Sequence, residues 1–372
     1  MSQMNIFEEL NERIAPLDLD ACRRSRDKWN GVAKPIASLG ALEDAVVQMA
    51  GLIGTQDVAI DKRAVAVMCA DNGVVAEGVS QCGSDVTLAV ADNIARGESS
   101  VCAMARPHNI QAVAIDIGML YQSADERVWD CNIMRATGNI AQGPAMTREQ
   151  AQAAIQVGID AVARLKEQGY GIIAAGEMGI GNTTTSSAMT AVLLDLPAED
   201  VVGRGAGLSD AGLVRKVAVV KQAIEVNQPD ASDPLDVLAK VGGLDIAGIA
   251  GLFIGGALHR VPVIVDGFIS LIAALVAVRL CPRAAAAMLA SHTSSEPAVR
   301  YVQQAVAEAC VASDAGFEQA GVQFRPVIDA SMRLGEGTGA VCLVPLLDST
   351  LSIYNGSTFD DIEIEPYEVD LH

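Results

Sequence analysis

Short apolar runs rich in Val, Ile and Ala alternate along this chain with longer amphipathic stretches. The runs are "AVAVMCADNG" (64–73), "AVAIDIG" (112–118), "GIIAAGEMG" (171–179) and "VPVIVDG" (261–267), and each ends among Gly, Asp or Glu. A half-exposed strand would alternate apolar and polar positions. These do not, so they are predicted as parallel strands buried on both faces. Between them, "SDVTLAVADNIARG" (84–97) and "TREQAQAAIQVGIDAVARLKEQG" (147–169) carry helical spacing. The second opens on Thr147 with Gln150 at the place a capping box requires, and it stops at Gly169. Strand and helix alternate, which predicts an α/β fold with right-handed crossovers. The longest apolar stretch, 247–280, is interrupted by His259, Arg260 and Asp266. Its pieces are too short to cross a bilayer, and it is predicted as helix, strand, helix.

A length of 372 residues with 51% hydrophobic content allows one large α/β domain or two unequal ones with a sizeable core. Aromatics are only 3%, so the core must be built from closely packed small side chains rather than a β-sandwich interior. The balance of 26 basic against 46 acidic residues, −20 in all, removes the electrostatic drive for binding a nucleic-acid backbone. It points to a cytoplasmic protein with a small-molecule substrate. Part of the charge is local: "FDDIEIEPYEVDLH" (359–372) reads as a solvated acidic tail. The eight cysteines are scattered, without CxxC or Cys/His metal spacing, and "MSQMNIFEELNERI" reads as a first helix rather than a secretory segment. Reduced thiols and no metal site are expected.

In an open α/β sheet, ligands gather beyond the carboxyl ends of the strands. Asp71, Asp116, Glu177 and Asp266 each follow a predicted strand, so they are expected near one another. Within "AAGEMGIGNTTT" (174–185), Gly176, Gly181 and Thr183 match the phosphate-loop pattern G-x-x-x-x-G-K-[ST], but Asn182 stands where that pattern has Lys. Without the Lys the loop cannot serve a triphosphate, whereas backbone N–H groups and Thr hydroxyls at a helix start suit a monophosphate. A plain glycine-rich turn is the alternative. In "MRLGEGTGA" (332–340), Glu336 stands between Gly335 and Gly337 before an apolar run, the setting of a general base or of an exposed acidic turn. Lys216, in "GRGAGLSDAGLVRKVAVV" (203–220), either supplies the cation missing from the first loop or snorkels from a helix. His292, in "SHTSSEPA" (291–298), is the only His within a polar motif, but no Ser/His/Asp or Cys/His order accompanies it.

Seven blocks in order, "SLGALEDAV" (38–46), "CADNGVVAEGVS" (69–80), "GNIAQGPAMT" (138–147), "GEMGIGNTT" (176–184), "NQPDASDPLDVLAKVGGLDIAGIAG" (227–251), "PVIVDGFIS" (262–270) and "RLGEGTGA" (333–340), resemble the nicotinate-nucleotide:dimethylbenzimidazole phosphoribosyltransferases of cobamide biosynthesis. The resemblance implies transfer of a 5-phosphoribosyl group from nicotinate mononucleotide, a substrate and not a cofactor, to a lower-ligand base. It implies a doubly wound, Rossmann-like sheet over 61–344 and a smaller helical domain from 1–60 and 345–372. It also implies a dimer, with itself or with a paralogue. Glu336 looks like the general base. Glu177, Lys216 and Asp266 would line the pocket, and Gly179, Gly181, Asn182, Thr183, Thr184, Ser291, Gly335 and Gly337 would hold the nucleotide, with Ser80 at the substrate site. Two departures stand out. Asn72 occupies a place where many relatives have His, and Val90 a place where many have a Gln that reaches the acceptor. An apolar wall at Val90 raises the expectation that a phenol or cresol is the acceptor as well as, or instead of, a benzimidazole. The alternatives are a catalytically silent paralogous subunit and a nucleotide-binding regulator.

Overall fold

Each apolar run forms a strand, and six strands make one parallel sheet in the order β3-β2-β1-β4-β5-β6. They are β1 (Arg63–Ala70), β2 (Ile110–Gly118), β3 (Trp129–Asp130), β4 (Ile172–Met178), β5 (Val263–Val265) and β6 (Met288–Ala290). β3 spans only two residues, too few to leave an apolar run, and the three residues of β6 continue the alanines of 284–287, which carry no strand signal. The structure, a computed structural model, describes residues 6–365. Of the acidic tail expected over 359–372, residues 359–365 are described: Phe359 is buried, Asp360–Ile362 form a short 3-10 turn and the rest of that stretch is exposed, while 366–372 lie outside the described residues.

Helices α1 (Ile6–Arg13), α2 (Leu19–Gly31) and α3 (Ala41–Ile53) precede the sheet. α4 (Asp85–Arg96) and α5 (Ser100–Ala105) join β1 to β2, and α6 (Arg148–Glu167) leads from β3 into β4. The capping box of α6 is formed: Thr147 Oγ1 accepts from Gln150 N at 3.2 Å, and Gln150 Oε1 accepts from Thr147 N at 2.9 Å. The crossover from β4 to β5 holds α7 (Asn182–Leu193), α8 (Ala198–Val201), α9 (Asp210–Asn227), α10 (Pro234–Val241) and α11 (Leu244–His259). α12 (Phe268–Leu280) joins β5 to β6, and α13 (Val299–Ala312), α14 (Phe317–Ala320) and α15 (Thr338–Tyr354) follow.

The apolar stretch 247–280 thus divides into α11, β5 and α12 as its charged interruptions predict. α11 is buried from Leu244 to Ala257 because it packs between α6, α12 and the sheet, which is why its sequence is apolar all round. Among the described residues no helix is long and apolar enough to cross a membrane. The two ends of the chain meet: Val32 pairs with Thr358, and the Tyr354 ring lies 4.8 Å from that of Trp29. α15 runs from the carboxyl end of the sheet to this cluster, so the line expected at 344/345 falls within one continuous helix.

Candidate active site

The strand order reverses between β1 and β4, which opens a crevice at their carboxyl ends. The smaller of two cavities lies there, and the larger lies beside it, over the carboxyl ends of β4, β5 and β6. One, of about 250 Å³, is walled by the segments that follow β4, β5 and β6 and by residues 332–338. The other, of about 80 Å³, lies between 79–81 and 179–183. Gly179, Ile180, Asn182 and Thr183 face both and form the partition between them.

The larger cavity is built on two interlocked turns. Gly335, Glu336 and Gly337 all adopt left-handed backbone, with φ of 89°, 57° and 85°. That conformation is costly for Glu336, and it persists because the loop lies directly on β4. A Cβ on Gly176 would stand 2.7 Å from Glu336 O, and one on Gly335 would stand 2.7 Å from Glu177 Oε1. The likeness of Gly-Glu-x-Gly to Gly-Glu-Gly therefore has a steric reason, since each glycine makes room for the other motif's glutamate. Glu336 is half-buried at the cavity, and its Oε2 accepts from Val101 N at 3.1 Å. Glu177, 9% exposed, closes the end of β4.

Burial, then the nearby Asp245 carboxylate, pushes Glu177 up to about 8; Asp266 and Glu336 add to the rise, and a hydrogen bond from Asn182 opposes it. Asp245, fully buried at the start of α11, is pushed up to about 6, again by burial first. Asn182 Nδ2 donates to Glu177 Oε2 and, at 2.9 Å, to Asp245 Oδ2. The residue in the place of a phosphate-loop Lys thus faces both cavities while its amide is engaged by two carboxylates. The cation enters from behind. Lys216, buried on α9, donates to Thr183 Oγ1 at 2.8 Å and to Gly203 O at 3.1 Å. Its burial lowers it to about 8 against the opposing influence of Glu296.

Other expected residues fall elsewhere. Asp266 lines the cavity, but its Oδ1 accepts from Ala340 N at 2.8 Å and so tethers the start of α15; burial raises its pKa, and His292 opposes. Gly181 and Ser80 face the smaller cavity. Thr184 is buried within α7, and Gly337 packs against Gly176 and Val65. Ser291 Oγ donates to Val265 O at 2.6 Å and lies 3.0 Å from His292 Nδ1, so the residue facing the cavity is its neighbour His292. Val90 packs against the core from α4, outside the walls of both cavities. The expected four-acid group divides. Asp71 accepts from Thr87 Oγ1 and Leu120 N at 2.7 and 2.9 Å, while Asp116 accepts from Met119 N at 2.8 Å and pairs with Arg135 at 3.1 Å. Both are internal braces, and Glu177 and Asp266 alone of the four reach the cavity. Sequence reasoning missed Asp245, which follows a Gly-Gly turn and no strand, and Glu296, which lies in the quoted motif around His292.

The large cavity carries four carboxylates, Glu177, Asp266, Glu296 and Glu336, with His292 and Arg333. The starts of two helices oppose them. α7 and α12 begin after Gly181 and Gly267 with no side-chain cap, and Thr183 and Ser270 of their first turns line the cavity, whereas the start of α15 is already engaged by Asp266 through Ala340 N. Uncapped N–H groups and the positive end of the helix dipole favour anions. Such a cavity presents attraction for a cation and for an anion in one space.

Residues 14–364 match the model of a family described as phosphoribosyltransferase. The chain is 46% identical over 342 residues to the nicotinate-nucleotide–dimethylbenzimidazole phosphoribosyltransferase of Acetivibrio thermocellus, an alignment covering 92% of this chain and 93% of that one. Identity to the protein of the same name from Ruminiclostridium cellulolyticum is 40% over 363 residues, 97% and 99% of the two chains. The solved structure of the nicotinate-nucleotide–dimethylbenzimidazole phosphoribosyltransferase from Thermus thermophilus aligns with a TM-score of 0.82 at 34% identity, over 94% of this chain and 99% of that one.

Proposed function

The chain belongs to this phosphoribosyltransferase family, and we propose that it moves the 5-phosphoribosyl group of nicotinate mononucleotide to a lower-ligand base of cobamides, releasing nicotinate. The observation that carries the reading is the opposition of carboxylates and the uncapped starts of α7 and α12 in one cavity. Nicotinate mononucleotide has a cationic pyridinium and an anionic phosphate, and it needs both. The phosphate is held by the 179–183 turn and Thr183, with Lys216 behind the hydroxyl. The pyridinium, attached to the ribose, lies toward the carboxylates.

The acceptor attacks C1′ from the face opposite the pyridinium, which gives the α-linked ribotide. The C1′–N bond breaks with its electron pair going to the leaving nicotinate, so the departing group neutralises itself and the step asks for no metal and no cofactor. The bond to the acceptor forms as Glu336 takes the acceptor's proton. The strained backbone of Glu336 and its hydrogen bond from Val101 N fix the carboxylate at the cavity edge. We further take the enzyme to be a cytoplasmic dimer, with the chain ends forming its smaller part.

Dimethylbenzimidazole is the acceptor we favour, since Val90, the residue that suggested a phenolic base, stands outside both cavities. Incubating the protein with nicotinate mononucleotide and dimethylbenzimidazole, phenol or p-cresol, with mass detection of the ribotide, tests this. A benzimidazole ribotide with little phenolic product is expected. A phenolic ribotide alone would reverse the acceptor assignment, and no ribotide with any base would leave the silent-subunit reading in its place.

A further inference from the structure

Behind the cavity floor lies a unit of three side chains on three elements: Glu177 at the end of β4, Asn182 at the start of α7 and Asp245 at the start of α11. Asn182 Nδ2 bridges the two carboxylates, donating to Glu177 Oε2 and, at 2.9 Å, to Asp245 Oδ2. Glu177 and Asn182 reach the cavity; Asp245 does not. We propose that Asp245 is a positioning residue, a buried anion that keeps a single proton on Glu177 so that Glu336 is left as the cavity's base; this rests on the transfer reaction proposed above.

Two carboxylates that share one donor in a dry site cannot both ionise. The question is which of them keeps the proton, and the surroundings decide. Asp245 occupies the first turn of α11, a helix from Leu244 to His259, where its own N–H and that of Ile246 favour the charged form. Glu177 has only the Asn182 amide in its favour, and acids surround it: Asp245 from α11, Asp266 after β5, Glu336 before α15 and Cys69 from β1. Asp245 in turn faces Asp71 and Cys69. Burial and these charges raise Glu177 to about 8 and Asp245 to about 6, in the order that places the shared proton on Glu177 at neutral pH.

The consequence for the reaction is a division between two glutamates whose turns touch. A charged Glu177 would compete with Glu336 for the acceptor's proton and would repel it. As a carboxylic acid it is instead a hydrogen-bond donor at the cavity, and the acceptor's proton has one destination. Asn182 completes the unit by engaging both carboxylates at once, which explains why a Lys is absent from this position: a cation there would ionise both.

The test uses the full-length protein and its Asp245→Asn variant, which keeps the shape and an acceptor for Asn182 while removing the charge. With nicotinate mononucleotide and dimethylbenzimidazole, the alkaline fall in kcat/KM is expected to move about one pH unit lower in D245N, with the acid limb unmoved. A limb that stays in place, or a uniform loss at every pH, overturns the proposal. A second readout needs no turnover. Infrared difference spectra between neutral and alkaline pH should show a carboxylic-acid carbonyl band lost near pH 8 in the wild type, absent in Glu177→Gln and lost at lower pH in D245N. A band unchanged in D245N refutes the role of Asp245 even if the transfer reaction is confirmed. Failure of transfer in the wild type, with the band behaving as stated, refutes the reaction alone.

Discussion

Glu177 shows how one side chain can cost stability and still be retained. Its pKa is raised from the ordinary carboxylate range to about 8, chiefly by burial. The folded protein therefore holds a proton that the unfolded chain has released over that interval, so this group's contribution falls as pH rises from the ordinary carboxylate range to about 8 and levels off above it. Glu177→Gln, which is neutral at every pH, should raise Tm at pH 7.5 and leave it unchanged in acid, where both states are protonated; scanning calorimetry at the two pH values checks this. Equal shifts at both would point to packing instead. Little of this was legible in the sequence. The glutamate and its flanking glycines were visible as a motif, but the raised pKa depends first on burial and then on Asp245, 68 positions later by numbering and announced by no strand. Glu336 was more legible, because a charged residue between two glycines before an apolar run marks a turn whose backbone only a close contact can hold.

At the scale of elements, α15 positions the proposed base. It begins directly after the 335–337 turn, and its first turn is tethered by Asp266 and packed against His292. A Cβ on Gly339 would stand 2.0 Å from both Cε1 and Nδ1 of that imidazole, so only glycine permits the approach. Gly339→Ala is expected to destabilise by about 1–3 kcal/mol through overpacking and to lower kcat as the Glu336 turn is displaced. Thr147→Ala, which removes the capping box of α6 away from the cavity, should destabilise by about 1 kcal/mol with kcat unchanged. Urea denaturation and steady-state kinetics on the two variants compare them; a G339A enzyme with undisturbed kcat would contradict the role given to α15. The long strands and the α6 cap were readable because each carries its whole signal locally. β3 and β6 were not, since pairing with β2 and β5 defines them and their own residues do not. The same limit hid the true partners of Asp71, just after β1, and Asp116, near the end of β2, whose places are compatible with a brace or a ligand.

For the molecule as a whole, a formal charge of −20 fits poorly with an anionic substrate until the fields are placed in space. The starts of α7 and α12 and the buried Lys216 act at short range beside the cavity, where screening is weak, while the acidic surface acts through water and salt. The parallel pairing of β4 with β5 brings those helix starts to one edge of the sheet, and sequence reading reached that geometry because alternating strands and helices place the carboxyl ends of the strands together.

The central claim is that Glu336 takes the acceptor's proton in a phosphoribosyl transfer. Its most direct test is a single-turnover comparison of the wild type with Glu336→Gln, following nicotinate release from nicotinate mononucleotide in the presence of dimethylbenzimidazole. The prediction is stoichiometric nicotinate and α-ribotide from the wild type, and a rate about 10²- to 10⁴-fold lower in E336Q with nucleotide affinity retained. Equal rates in the two proteins would contradict it.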